Sequence, residues 1–462
     1  RPHLPAVAPR PVGRPVLGPP VPSGSVFPGT PSGAVSAVLP AVPAAAPVAV
    51  VPAPAAAAPT VVAPTTPATA PTTTAPVAAP VAAPATLPVT APPVAPSEAP
   101  VQPAPVVHSL AATAFAGQAA RLTHTEAYGV VELNAWEADA ARRLKAAHPG
   151  LRVLMYKDAS STRSYASHGG VDDAVLPTGV GYAAAQAHPS WFLTDTTGAR
   201  MEWPWAGHWW MDLAEPGYQA AWLAGVRADL AGGPWDGVVI DNVMASPEWY
   251  LQGRTIAKYR TKDAYAAATG SFLAAVGPAL KADGRLVLGN ISDASPETWD
   301  RWTALLSGGN HEHSFLWNDG TRYGGADWLG RVQEIERTEA AGRIHTATSS
   351  IAAGDASAAA WVRASWLMAW DGGASGSLQA VELKDRDDPF DAVVATDLGQ
   401  PLGRRTAVGA AFRRDFTAGT ALVNPSSSPV TVALGRTMVD AAGARVTSVV
   451  LAPLTGALLR TV

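Results

Sequence analysis

The chain has 462 residues, which leaves room for two or three domains. Its formal net charge of −4 and isoelectric point near 6.2, without a basic stripe, argue against a nucleic-acid or anionic-membrane partner. The absence of cysteine excludes disulfides, cysteine-ligated zinc and a cysteine nucleophile. The sequence has no uninterrupted run of roughly 20 apolar residues, so we predict no membrane-spanning helix.

Residues 1–105 form a tract dominated by Pro, Ala, Val and Thr. Closely spaced prolines forbid helices and sheet ladders, so we predict a disordered or polyproline-like linker. Such a tract is either a plain spacer or a stalk outside the cell that carries O-glycans. The stalk interpretation predicts an extracellular or cell-surface location and association with the cell wall. The chain starts at Arg1 without a signal-peptide core, so we expect a removed presequence or a fragment.

Residues 106–403 alternate between strand-like and helix-like runs. We predict strands at Tyr128–Leu133, Arg152–Tyr156, His208–Asp212, Val238–Ile240, Arg285–Leu288, His313–Leu316, Ile344–Thr348 and Gly376–Gln379. We predict helices at Ala135–Ala147, Pro216–Leu230, Asp263–Ala282, Ala326–Ala341 and Ser357–Trp370, and another that opens at Ser295-Pro296. This alternation predicts an α/β fold, and eight strands favour a (β/α)8 TIM barrel over a doubly wound open sheet. No G-x-G-x-x-G turn follows the first strand.

Residues 404–462 change to short alternating strands separated by turn residues. They include Thr420–Asn424, Val430–Leu434 and Val446–Leu451. We predict a small antiparallel β-sandwich domain that depends on the barrel for stability.

Asp241 is the strongest candidate for a catalytic residue. It follows Val238–Ile240, a run of β-branched residues that suits a strand buried on both faces. In TIM barrels the working side chains stand at the carboxyl ends of strands. An Asp there is either a functional carboxylate or a helix N-cap, and Ser246 offers a better cap.

Glu312 is the second candidate, within His311-Glu312-His313. Side chains alternate along a strand, so Glu312 faces one way and both histidines face the other. Glycosidic hydrolysis needs two carboxylates, one that attacks or directs water and one that protonates the leaving oxygen. Asp241 and Glu312 fit this pair, while a structural ion pair is the alternative role for Glu312.

The sequence also bears on metal-dependent and other hydrolytic chemistry. His311 and His313 would place two imidazoles on one strand face as metal ligands, but no third ligand stands at a diagnostic spacing. Neither a G-x-S-x-G nucleophile elbow nor a Walker loop is present, which argues against serine-hydrolase and phosphate-transfer chemistry. We therefore expect no metal and no cofactor.

Substrate-binding residues are predicted from the other polar strand ends and from clustered tryptophans. The polar candidates are Tyr156, Lys157, Asp158, Asp212, Asn242 and Asn290. The stacking candidates are Trp205, Trp209, Trp210 and Trp317, because flat apolar rings suit the C–H faces of sugars. Rim, capping and core roles remain the alternatives for these residues.

Several segments resemble TIM-barrel enzymes of the "hypothetical glycosyl hydrolase" families. The matching runs are Val153–Asp158, His188–Leu193, Met211–Pro216 and, above all, Trp235–Asn242. The last of these is similar to a fourth-strand motif, Asp-Gly followed by apolar residues and Asp-Asn. That motif recurs in polygalactosaminidase-like barrels and, more loosely, in the amylase and α-galactosidase clans. The resemblance covers roughly residues 125–462.

The resemblance implies a retaining glycoside hydrolase in which Asp241 is the nucleophile. The acid/base lies on strand five in amylase-like barrels and on strand six in α-galactosidase-like barrels, where this chain has Asn290 and Glu312 respectively. Glu312 is thus the implied acid/base, although α-galactosidases use Asp. The expected substrate is an extracellular polysaccharide or glycan. A non-catalytic carbohydrate-binding barrel and a metal-dependent hydrolase or deacetylase are the alternatives.

Overall fold

The computed structural model describes residues 109–373, 377–384 and 388–462. The predicted linker at residues 1–105 lies outside the described residues. No helix within the described ranges is long and apolar enough to cross a membrane.

Eight parallel strands close into a barrel. They are β1 (Leu110–Thr113), β2 (Tyr128–Asn134), β3 (Arg152–Asp158), β4 (Gly237–Met244), β5 (Leu286–Ser292), β6 (Gly308–His311), β7 (Ile344–Ala352) and β8 (Ser377–Lys384). Each strand pairs with the next, and β1 pairs with both β2 and β8 to close the ring. The helices are α1 (Ala138–Ala147), α2 (Tyr182–Ala185), α3 (Pro216–Gly232), α4 (Lys262–Ala282), α5 (Pro296–Leu305), α6 (Gly325–Ala340) and α7 (Ala356–Leu367). The predicted barrel is confirmed.

The strand predicted at His208–Asp212 is wrong. His208–Trp210 pairs antiparallel with Ser161–Arg163 in a long excursion between β3 and α3, outside the barrel. The excursion also holds a second short hairpin, Ser167–His168 with Val171–Asp172. The first barrel strand is instead Leu110–Thr113, which was missed because its alanines carry little strand preference. The two errors offset each other, so Asp241 still lies on the fourth strand.

The sixth strand also differs from its prediction, since it is Gly308–His311 and not His313–Leu316. Two glycines disguised it, because glycine is depleted in strands. Both are required by close packing. A Cβ on Gly308 would lie 1.9 Å from the Ile344 carbonyl oxygen, and one on Gly309 would lie 2.9 Å from the Trp299 ring.

The interior of the barrel is built in layers. An apolar layer fills its centre and consists of Ala111, Val130, Leu154, Val239, Leu288 and Ile344. Because side chains alternate along a strand, the residue two positions onward also faces inward and lies closer to the carboxyl end. Those next residues are Thr113, Glu132, Tyr156, Asp241, Asn290 and Thr346. The barrel therefore presents a mostly polar layer directly above an apolar floor.

The predicted C-terminal β-domain is confirmed as a six-stranded antiparallel sheet in the order β9-β10-β11-β14-β12-β13. Its strands are β9 (Thr406–Val408), β10 (Ala411–Phe416), β11 (Gly419–Asn424), β12 (Val430–Val439), β13 (Arg445–Leu451) and β14 (Thr455–Thr461). One face joins the barrel core through Val423 and Leu458, and the other carries a separate apolar cluster around Leu422 and Val432. Arg414 fastens the sheet to the end of α7 and the segment after it by donating to the carbonyls of Leu367 and Trp370 at 2.8 and 2.7 Å.

Candidate active site

The polar layer lines a pocket at the carboxyl end of the barrel. Its walls are formed by Thr113, Phe115, Glu132, Tyr156, Val239, Asp241, Asn290, Asn310, Glu312 and Thr348. Every one of these residues stands on a barrel strand or within two residues of one. The two predicted catalytic carboxylates, Asp241 and Glu312, thus lie in the same pocket.

Asp241 sits at an irregularity in β4 and not at its end. The pairing of β4 with β5 shifts register between Ile240 and Val243, and Asn242 has a positive φ of 58°. Such bulges redirect side chains and are frequent beside active sites. Here Asp241 lines the pocket, and the backbone N–H of Asn242 donates to Asp241 Oδ1 at 2.8 Å.

The Asp241 carboxylate is held from both neighbouring strands. Tyr156 on β3 donates its phenol to Oδ2 at 2.7 Å, and Asn290 on β5 donates its amide to Oδ1 at 2.9 Å. Burial and the charge of Asp158 raise the pKa of Asp241, whereas the donors Asn290, Tyr156 and the Asn242 backbone oppose that rise. The carboxylate is therefore fixed in orientation and more basic than an exposed aspartate.

Glu312 follows the last residue of β6 directly, with its side chain on the pocket side. His311 faces the opposite way, as alternation predicts, and its Nδ1 lies 2.7 Å from Glu334 Oε1 on α6. The prediction that both histidines share a face does not apply, because His313 lies beyond the strand with a φ of 56°. Both carboxylates act on Tyr250: burial, then Glu312, then Asp241 raise the pKa of its phenol.

The histidines do not converge on a metal site. Glu334 bridges the rings of His311 and His345, the latter at 3.0 Å from Nε2. His313 packs near Trp317, with ring centroids 5.0 Å apart. Over the described part of the chain, no three His, Asp or Glu side chains are grouped so as to hold a metal ion.

An aromatic stack in the excursion packs against Tyr250. Trp210 is buried and stacks on Trp203 at 4.1 Å, and Trp203 stacks on the half-buried Trp205 at 5.4 Å. Tyr250 lies against Trp203 and Trp205 with ring centroids 4.8 and 5.5 Å away. Of the predicted stacking residues, Trp205 therefore presents a rigid, partly exposed ring close to Tyr250.

A family model described as hypothetical glycosyl hydrolase family 15 matches residues 145–420, more than half of the chain. The chain belongs to this family. The sequence resemblance to these barrels is confirmed, and the protein is a glycoside hydrolase whose substrate is a carbohydrate.

Several solved structures are similar to this family 15 chain. The glycoside hydrolase domain of PelA from Pseudomonas aeruginosa is 17% identical, with a TM-score of 0.40, covering 61% of this chain and 99% of that one. Ega3 from Aspergillus fumigatus, in complex with galactosamine, is 11% identical, with a TM-score of 0.36 and coverages of 62% and 95%. An α-amylase from Malbranchea cinnamomea is 9% identical, with a TM-score of 0.41 and coverages of 77% and 96%. A search of curated proteins gave no match.

Lys157 is not a residue of the pocket in this family 15 protein, contrary to the prediction. It is next to Tyr156 on β3, and neighbouring side chains of a strand face opposite sides, so its side chain points away from the barrel interior. It is fully buried and pairs with Asp229 on α3 at 2.6 Å. Lys157 therefore ties β3 to the helix layer.

Asp158 and Asn242 support the site without lining the pocket. Asp158 is fully buried and accepts hydrogen bonds from Ser160, Ser161, Arg163 at 2.6 Å and the Asn242 side chain at 2.9 Å. These contacts enclose the Asp158 carboxylate, which contradicts its predicted role as a direct sugar ligand. Its charge instead acts on Asp241.

Four other predicted ligands also lie outside the pocket lining. Asp212 is buried and bonded to Lys258 and Tyr259, and its Oδ1 also accepts from the backbone N–H of Ala214 at 3.1 Å. Trp210 is fully buried in the stack, which contradicts a stacking role toward sugar. Trp209 is half-buried against the barrel core, 6.0 Å from Tyr182. Trp317 is half-buried in the loop after Glu312, with Tyr323 at 6.0 Å.

Sequence reasoning missed several pocket residues. They are Thr113, Phe115, Glu132, Val239, Asn310 and Thr348. Glu132 was detectable: it occupies an inward position of a correctly predicted strand, two residues beyond Val130. Thr113 and Asn310 were hidden because β1 and β6 were not recognised. Thr348 lies within a strand whose position was predicted, but a threonine in a strand carries no distinctive signal.

Proposed function

We propose that the protein cleaves O-glycosidic bonds by a retaining mechanism, with Asp241 as nucleophile and Glu312 as acid/base. The observation that carries this proposal is the presence of both carboxylates in one pocket, Asp241 on the fourth strand and Glu312 directly after the sixth. Family membership supplies the reaction class. The roles of the two residues come from their surroundings.

Asp241 suits the nucleophile because its orientation is fixed before substrate arrives. Each oxygen accepts a hydrogen bond from a neighbouring strand, from Asn290 and from Tyr156. In the first step Asp241 attacks the anomeric carbon while Glu312 donates a proton to the leaving oxygen. In the second step Glu312 removes a proton from water, which attacks the same carbon and releases Asp241.

The sugar next to the cleaved bond is proposed to stack on Trp205, whose ring is half-buried and backed by Trp203. Tyr250 packs against Trp205, and the charges of both carboxylates act on its phenol. We propose an extracellular polysaccharide or cell-wall glycan as substrate and a cell-surface location. The Pro/Ala-rich composition of residues 1–105 supports this, as a spacer between an anchor and the enzyme.

The test is a screen of purified polysaccharides, cell-wall glycans among them, for release of new reducing ends. Wild type, Asp241→Asn and Glu312→Gln are compared in parallel, with Glu202→Gln, in the excursion, as a matched control. We expect cleavage of at least one glycan by wild type and control, and a loss of at least about 10³-fold in both site variants.

Thermal melts of the variants accompany the screen, and they should stay close to that of wild type. Full activity in either site variant would overturn the assignment of that residue. Tight binding of a glycan that wild type never cleaves would favour a carbohydrate-binding barrel instead.

A further inference from the structure

A chain of side-chain hydrogen bonds runs across four barrel strands and ends on Asp241. Thr348 Oγ1 on β7 donates to Asn310 Oδ1 on β6 at 2.7 Å. Asn310 Nδ2 donates to Asn290 Oδ1 on β5 at 2.9 Å, and Asn290 Nδ2 donates to Asp241 Oδ1 on β4 at 2.9 Å. Asn310 and Asn290 are also register partners in the sheet. Each step therefore crosses one pair of adjacent strands.

All of these bonds point in the same direction. A carboxamide has a donor end and an acceptor end, so each asparagine accepts with its oxygen and donates with its nitrogen. With the opposite polarity, Asn290 would turn its carbonyl oxygen toward Asp241 and repel the carboxylate. Bonds arranged head to tail also polarise and strengthen one another. The direction of the chain thus matters for a charged nucleophile.

Thr348 stands at the far end of this chain, where its hydroxyl donates to Asn310. Its side chain is buried, with 6% of the residue exposed. We propose that Thr348 is a positioning residue for the nucleophile: through Asn310, it keeps the Asn290 amide turned with its nitrogen toward Asp241. The functional importance of this role rests on the proposed nucleophile, whereas the hydrogen-bond chain itself does not.

Other ionisable groups also act on Asp241 and stay constant in the variants below. Tyr156 and Asp158 face it from β3, with Arg163 paired to Asp158. The pocket also holds Glu312 from the end of β6 and Glu132 from β2, and Tyr250 from the loop after β4 is electrostatically coupled to Asp241. A change in the titration of Asp241 on altering Thr348 therefore reports the hydrogen-bond chain.

The experiment measures the pKa of the Asp241 carboxyl directly in the full chain, by a carbon-13 NMR titration of protein labelled at aspartate Cγ. The Asp241 signal is identified by its loss in Asp241→Asn. Thr348→Val, which keeps the shape and removes the hydroxyl, should raise this pKa by roughly 0.3–1 unit. Thr348→Ser, which keeps the hydroxyl, should titrate within about 0.2 unit of wild type. Asn310→Ala breaks the chain one step nearer and should raise the pKa at least as much as Thr348→Val.

Two results would overturn the proposal: a wild-type pKa in a folded Thr348→Val, or an equal shift in Thr348→Ser. If Thr348→Val does not fold, Asn310→Ala decides, and an unshifted pKa there contradicts the chain. Glycan cleavage by Asp241→Asn at the wild-type rate would refute the nucleophile while leaving the titration result to stand. The two failures are thus distinguishable.

Discussion

Tyr156 donates its phenolic hydrogen to Asp241 Oδ2 at 2.7 Å, from the barrel strand next to the one that carries the carboxylate. Asn290 mirrors this contact from the other side at 2.9 Å. Neither donor depends on a loop, because both stand on strands of the closed barrel. The orientation of the carboxylate is therefore a property of the barrel itself.

Tyr156→Phe removes one of these donors while keeping the ring. A hydrogen bond to a charged group contributes about 1.5–3 kcal/mol, so we expect kcat to fall about 10- to 100-fold with KM little changed. Steady-state kinetics on the glycan found in the screen measure this. Tyr182→Phe, which removes a phenol in the excursion, is the control and should keep wild-type kinetics. Equal losses in both variants would contradict a specific role for Tyr156.

The pH dependence of cleavage follows from the raised pKa of Asp241. Burial and Asp158 raise this pKa, and the nucleophile acts only when ionised. Activity is therefore present above the Asp241 pKa and is lost as pH falls through it. The acidic limb of kcat/KM should lie above the ordinary aspartate value of about 3.9, and Tyr156→Phe should move it higher still. A limb at or below that value would contradict the described environment.

Lys157→Met tests the corrected role of this residue. The substitution leaves Asp229 without its partner across a contact in which the lysine side chain is 0% and the aspartate 23% exposed. We expect the free energy of unfolding to fall by about 2–4 kcal/mol, with kcat/KM of the folded enzyme within about twofold of wild type. Lys145→Met, at the more exposed pair with Asp236, should cost about 1 kcal/mol or less. Denaturant unfolding and kinetics measure both, and a selective rise in KM would restore a binding role.

The carboxyl of Glu339 should make the stability of the folded protein depend on pH, independently of catalysis. Burial and the neighbouring Asp371 raise the pKa of this carboxyl to about 9. Between the unfolded value near 4.5 and about 9, the folded state binds more protons than the unfolded state, so stability falls as pH rises. Glu339→Gln should therefore raise Tm more at pH 8 than at pH 5, by roughly 3–6 °C. Glu297→Gln, at an exposed carboxylate, should give no such gain; an equal Tm change at both pH values would contradict the account of Glu339.

How many of the barrel strands can be predicted from the sequence depends on the residue types in each strand. β4 was recognised because its apolar run is broken by Asp241, and its fourth place in the barrel indicated a catalytic role. β1 and β6 were not recognised, since Ala111 and the pair Gly308-Gly309 satisfy packing that only the folded barrel reveals. The missed strand β1 and the false strand at His208 offset each other in the strand count by chance. Asp241 therefore kept its predicted place on the fourth strand.

Odd and even positions of a strand face opposite sides of the barrel wall, and this determines which residues belong to most of the site. Tyr156 and Lys157 are neighbours in the sequence, yet one faces the pocket and the other faces α3. The sequence shows that side chains of β3 alternate between two faces, but not which residues face the pocket. That depends on which residues of β3 pair with β2 and β4. Asp158 shares the parity of Tyr156 but is enclosed by the Ser160–Arg163 segment that follows it. That segment is held by antiparallel pairing with the distant His208–Trp210, which no local pattern predicts.

Azide rescue tests the central claim, that Asp241 and Glu312 form a retaining pair, most directly. A cleaved glycan or its aryl glycoside is incubated with Asp241→Ala or Glu312→Ala and azide, and the anomeric configuration of the product is read by NMR. We predict a glycosyl azide of inverted configuration from Asp241→Ala, where azide replaces the nucleophile. From Glu312→Ala we predict one of retained configuration, where azide attacks the glycosyl-enzyme. The absence of rescue in both variants, or the same configuration from both, would contradict the assignment.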